Sequence, residues 1–141
     1  MPTCALVSFR LGGDDGVSVE ARKWMWALGE IGFSVRRVAG ELDGAPLPGD
    51  IVIPGLAIDP CSEARPSVDD VSGALDGSDL VVVENLCSLP LNLAASSTVA
   101  SALRAFPGRV LLRHHDLPWQ RRALTGLEGE FPPRIDGALH V

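Results

Sequence analysis

Three polar segments of the chain each follow directly on a run of apolar, strand-prone residues. They are residues 11–16 (LGGDDG), 84–89 (ENLCSL) and 115–119 (HDLPW). Each carries residue types that can do chemistry. Gly12 and Gly13 lack side chains, so their backbone amides can approach a phosphate closely, and the start of a following helix adds unpaired N–H groups. Glu84 and Asn85 offer directional acceptors and donors suited to sugar hydroxyls. His115 can donate to an anionic or sugar oxygen or act as a base near neutral pH, with Asp116 placed to orient it or take a proton. Trp119 can stack on a sugar or on a neighbouring domain.

Each segment also has a plainer reading. The glycines fall at 12, 13 and 16, which matches neither GxGxxG nor a P-loop. Asp14 and Asp15 would repel a phosphate unless they turn away or bind a sugar hydroxyl, so a tight turn with a helix cap is the alternative. Glu84 and Asn85 could cap the next helix, although Ser88 is better placed for that. His114 and His115 are adjacent and point to opposite sides of a strand end, so only one can face a crevice. A metal would need a third ligand, and the remaining histidine, His140, lies on a later strand; no metal site is predicted. A Cys87–His115 nucleophile pair would depend on spatial proximity that no spacing rule supports. Arg121 and Arg122 read as a solvated pair.

The elements that must position these groups are legible in the periodicity. Residues 4–9 (CALVSF) read as a strand buried on both faces. Val17, Ala21, Trp24, Leu28 and Ile31 then recur at helical steps, with Asp14 and Asp15 available as caps and Gly32 as a stop. Of the two tryptophans two apart, Trp24 and Trp26, one belongs in the core and the other outside. Residues 34–39 form a second strand, completing a βαβ unit. Residues 40–66 carry five prolines and several glycines and are read mostly as loop, with a short strand at 51–53. Ser67 starts a short helix whose apolar side is Val71, Ala74 and Leu75. Residues 80–83 (LVVV) have no polar alternation, as at the centre of a parallel sheet. Pro90 is placed in the first turn of a helix whose face runs through Leu91, Ala95, Val99, Ala102 and Phe106. Residues 109–113 form the next strand, 120–127 a possible helix, and 137–141 the start of a further strand.

Composition agrees with one α/β domain over residues 1–141. The chain is 46% hydrophobic and 21% charged, with a formal charge of -6. That acidity argues against a nucleic-acid partner. Three scattered cysteines without CxxC spacing fit reduced thiols in the cytoplasm. No apolar run reaches the roughly 20 residues that a membrane span needs.

Phe9-Arg10-Leu11-Gly12-Gly13, Val83-Glu84-Asn85 and above all Leu112-Arg113-His114-His115-Asp116-Leu117-Pro118 resemble the amino-terminal domain of retaining glycosyltransferases of the GT-B type, family 4. The resemblance implies a three-layer Rossmann-like domain with a mainly parallel sheet, forming the acceptor-side half of a two-domain enzyme. It implies a sugar acceptor and a nucleotide-sugar donor as co-substrates, no metal and no other cofactor. His115 would contact the transferred sugar, and Gly12 and Gly13 would face the diphosphate or acceptor. The carboxyl-terminal donor-binding half is not in this sequence, so the chain alone is expected to be inactive. Two other readings stand beside it. One is a dinucleotide-binding Rossmann domain, with Glu41 holding a ribose. The other is a non-catalytic interaction domain using Trp26 and Trp119.

Overall fold

In a computed structural model, residues 1–61, 63–124, 126 and 129–141 are described. The elements run β1 (Thr3–Leu11), α1 (Gly16–Glu30), β2 (Ser34–Leu42), β3 (Ile51–Val52), α2 (Val68–Leu75), β4 (Leu80–Glu84), α3 (Leu93–Ala105), β5 (Arg109–Arg113) and β6 (Leu139–His140). The strands form one sheet in the order β3-β2-β1-β4-β5-β6. Every neighbouring pair is parallel. This is the Rossmann-like α/β architecture expected, and its strand order reverses between β1 and β4.

Strand alternation sorts the core into two faces. Ala5, Val7, Val81, Val83, Val110 and Leu112 pack against α2 and α3 through Val71, Leu75, Ala95, Val99 and Leu103. The alternate residues Cys4, Leu6 and Val82 meet α1 through Ala21 and Leu28. Each fully buried valine or leucine contributes about 2 kcal/mol, so the central strands, buried on both sides, dominate stability.

Several local expectations shift. The face of α1 turns slightly, burying Ser18, Ala21 and Leu28. Ile31 falls past the helix end and is 72% exposed. Ser18 tolerates burial because its hydroxyl donates to Asp15 Oδ2 at 2.7 Å, while its amide donates to Asp15 Oδ1 at 3.0 Å. Asp15 is therefore the cap. Pro90 does not enter α3, which starts at Leu93. Nor does Ser88 cap it: Asn92 does, accepting from the Ala95 amide at 3.1 Å. The Asn92 side-chain amide also donates to the carbonyls of Gly55 (3.0 Å) and Ala57 (2.7 Å), which ties the proline-rich segment to α3. Gly40 is needed there, because a Cβ would lie 2.0 Å from the Ala57 nitrogen. In place of a helix over 120–127 there are two 3-10 turns, Pro118–Gln120 and Arg122–Leu124. Positions 125 and 127 of that expectation lie outside the described residues. No helix among the described residues is long and apolar enough to cross a membrane.

Candidate functional site

β4 is apolar until its last residue, Glu84, which is fully buried. A buried carboxylate requires compensation, and the parallel register supplies it by placing Arg113 beside Glu84. Arg113 Nη1 donates to Glu84 Oε1 at 2.6 Å. His115 Nε2 lies 2.8 Å from Glu84 Oε2. Both carboxylate oxygens are thus engaged. With Nε2 donating to Glu84, the His115 Nδ1 is left to accept a hydrogen bond from another molecule. Arg113 is held from its other side by Trp24, its guanidinium carbon 4.2 Å from the ring centroid. Glu20 on α1 lies 4.0 Å from Arg113 Nη2. Trp24 is thus the inner member of the tryptophan pair, while Trp26 is 70% exposed.

Asn85 fixes the next turn. Its φ of 62° is left-handed, a conformation asparagine adopts more readily than most residues. From it, Oδ1 accepts from the amides of His115 and Asp116, each at 3.2 Å. The Asn85 amide in turn donates to the Arg113 carbonyl at 3.0 Å. Glu84 orients the His115 ring and Asn85 orients its backbone, so the histidine is held at both ends.

Asn85 and His115 open onto a cleft of about 320 Å³ at the β1/β4 strand reversal, whereas Glu84, expected to bind sugar hydroxyls, is fully buried and is not among the residues lining it. Phe9, Val17, Ile58 and Leu89 form its apolar wall, while Asn85, His115 and Asp116 supply polar groups. Two ion pairs flank it, Arg10–Asp15 at 3.4 Å and Arg121–Asp116 at 3.1 Å. Arg121 is exposed, as a solvated residue would be, and it also lines the cleft through its pairing with Asp116. A larger, shallower hollow of about 830 Å³ runs along the outer flank of α1 beside Trp26 and Ile31. It holds none of the strand-end polar groups.

The glycine turn is used differently. Gly12 has φ +86°, and a Cβ there would sit 2.1 Å from the Asp43 carbonyl oxygen. Gly13 gives its carbonyl to Arg22 at 2.6 Å. Both pack towards the loop after β2, and the cleft lining from this turn comes from Asp15 and Gly16. Burial pushes the Asp15 carboxyl upward, but hydrogen bonds from the Ser18 side chain and amide, with the Arg10 charge, outweigh it and hold it below the usual carboxylate range. A carboxylate therefore already occupies the start of α1, where a phosphate would bind. Trp119 lies in the Pro118–Gln120 turn, is exposed, and is not among the residues lining the cleft.

Cys87 belongs to the core facing α2 and α3. Burial pushes its thiol up to about 12, and His115 bonds Glu84 instead, so no nucleophile pair forms. His114 points away from the cleft, as alternation requires, with its Nδ1 against the Ser88 hydroxyl. Burial, then His140 and His115, hold its ring below the usual histidine range. Among the described residues, no group of three or more His, Cys, Asp or Glu side chains is arranged to hold a metal.

Sequence alone gives Glu20 and Trp24 no place in the site, and it marks Arg113 only as a neighbour of His114 and His115. The available signal for Arg113 was its place at the end of an apolar strand that had to neighbour another strand ending in Glu84. Compared with known protein families, characterised proteins and solved structures, the chain matches none.

Proposed function

We propose that the cleft between the β1, β4 and β5 ends binds a hydroxyl-rich small molecule. The chain would serve as the acceptor-side domain of a nucleotide-sugar-dependent, metal-independent retaining glycosyltransferase. The observation that carries this reading is the doubly held His115. Glu84 fixes its Nε2, Asn85 fixes its amide, and Nδ1 remains for a ligand hydroxyl. Asp116 and Asn85 add further hydrogen-bonding groups, and the apolar wall fits the carbon face of a sugar ring. Transfer would need a donor-binding partner half to hold the nucleotide sugar, since proximity and charge stabilisation supply most of such catalysis.

The dinucleotide reading draws support from the strand order alone. Against it stand the Asp15 carboxylate at the helix start and the packing of Gly12 on Asp43. The interaction-domain reading draws support from the exposed Trp26 and Ile31, which lie away from the cleft.

Amide and imidazole NMR during titration with free hexoses and polyols, UDP- and GDP-sugars, and NADH separates these readings. Sugar-dependent shifts at Asn85, His115 and Asp116, abolished by His115→Ala, are the expected result. NADH-dependent shifts at Gly12, Gly13 and Glu41 with no response to sugars would transfer the assignment to dinucleotide binding.

A further inference from the structure

His114 and His140 form a second arrangement, and neither lines the cleft. β6 pairs with β5 so that His140 stands beside Leu112. His114 is two residues further on, one past the end of β5, so it continues that face of the sheet and lies diagonal to His140. Backbone bonds lock both: the His114 amide donates to the Val141 carbonyl at 2.8 Å, and the Val141 amide donates to the Leu112 carbonyl at 3.0 Å. The ring centroids are 5.1 Å apart with planes inclined by 18°. The facing nitrogens, His114 Nε2 and His140 Nδ1, are closer, at 2.9 Å.

At its other end His114 meets a hydroxyl that can hold the tautomer metal binding needs. Ser88 is buried, and its hydroxyl donates to the Arg113 carbonyl at 3.1 Å. That hydroxyl has one proton; with it on the Arg113 carbonyl, the hydroxyl meets His114 Nδ1 as an acceptor and Nδ1 carries the hydrogen, the tautomer that metal binding selects. The His114 Nε2 lone pair is therefore directed at His140. A ring nitrogen bonded to an oxygen on one side with a free lone pair on the other is the form in which histidine ligates metals.

From this geometry we infer a two-histidine site for a borderline divalent transition metal such as Zn²⁺ or Cu²⁺, made by His114 Nε2 and His140 Nδ1 at the edge of the sheet. Imidazole pairs favour these ions over Mg²⁺ or Ca²⁺. With Zn–N bonds of about 2.0–2.1 Å in a tetrahedron, the two nitrogens stand about 3.3 Å apart. Reaching that geometry takes a few tenths of an ångström of separation and a tilt of the His140 ring, which belongs to an exposed residue on a two-residue edge strand. On binding, His140 changes tautomer: its proton moves from Nδ1 to Nε2, both lone pairs go to the metal, and water fills the remaining positions. Ser88 is a positioning residue that touches no metal.

The test is calorimetric titration of Zn²⁺ into the whole chain carrying Cys61→Ser, which removes the one exposed thiol among the described residues. Ring-nitrogen NMR on the same samples identifies the ligands. One saturable ion is expected, with metal-dependent shifts at His114 Nε2 and His140 Nδ1. His140→Gln should weaken binding at least ~10-fold, as should Ser88→Ala, within the ~10–100-fold range of such supporting groups. His115→Gln should leave it unchanged. Circular dichroism on each variant separates ligand loss from unfolding, and His140, being exposed, is the variant least able to disturb the fold. Absence of saturable binding up to millimolar Zn²⁺, or equal affinity in the His140→Gln protein, overturns the assignment.

Discussion

The turn after β1 and the paired turns after β4 and β5 sit on the same edge of the sheet and carry similar polar residues, yet they use them in opposite ways. After β1, the polar groups satisfy one another: Asp15 caps α1, the Gly13 carbonyl binds Arg22, and Gly12 exists so that the chain can pass Asp43. After β4 and β5, the groups satisfy one another only in part. Both Glu84 oxygens are taken by Arg113 and His115, and Asn85 Oδ1 by two amides, which leaves the Asn85 side-chain NH2 and one imidazole nitrogen for a ligand. The lesson concerns hydrogen-bond accounting. Residue type marks a candidate, but a strand-end residue becomes a binding group only if its neighbours leave an atom of it unspent.

The contrast can be broken most forcefully at Glu84. Glu84→Ala leaves the half-buried Arg113 guanidinium with only the more distant Glu20 carboxylate, a loss of about 3 kcal/mol, and it frees the His115 ring. Chemical denaturation should show the stability loss, and ligand-dependent NMR shifts at His115 should disappear. Retained binding with full stability would mean that the β4–β5 network is not what prepares the site.

Gly12→Ala probes the other region. It forces a Cβ onto the Asp43 carbonyl at φ +86°, and a cost of about 3 kcal/mol is expected from the strained backbone and the clash. The folded fraction should bind cleft ligands with unchanged affinity. Loss of binding at unchanged stability would make the glycine turn a ligand contact and erase the distinction drawn here.

The smallest effect sharpens the comparison. Asp15→Ala removes the α1 cap at a cost of about 1 kcal/mol. The folded Asp15 carboxyl is held below its unfolded value. Its contribution is therefore complete above about pH 4, the unfolded carboxylate value, and fades as pH falls through the folded one. The variant should differ from the parent at pH 7 and converge with it in acid, as read by thermal melts across pH 2–7 at roughly one-unit steps. A constant difference at every pH would mean that the cap does not act through its charge.

How much was legible beforehand depends on how far apart the cooperating residues lie. Strands β1, β4 and β5 were evident because unbroken apolar runs such as LVVV have few other stable fates. The α1 face was readable but slightly rotated, since Ile31 suits the period and yet falls after the helix has ended. Pro90 and Ser88 misled, because capping requires one side chain within reach of one amide. Asn92 won that position through bonds to Gly55 and Ala57, partners some 35 residues away that no local pattern reveals. His115, Glu84 and Asn85 could be named individually from their place at strand ends, whereas their mutual bonding could not.

By itself, the sequence determined the periods and therefore the elements: which segments are strands buried on both faces, which are helices, and that polar residues follow β1, β4 and β5. Only the tertiary structure decided the partners. Register sets Arg113 beside Glu84 and His140 beside Leu112, and those pairings decide which nitrogen of each histidine is committed and which is available. Periodicity is a property of neighbours along the chain, while the satisfaction of a buried charge is a property of neighbours across the sheet.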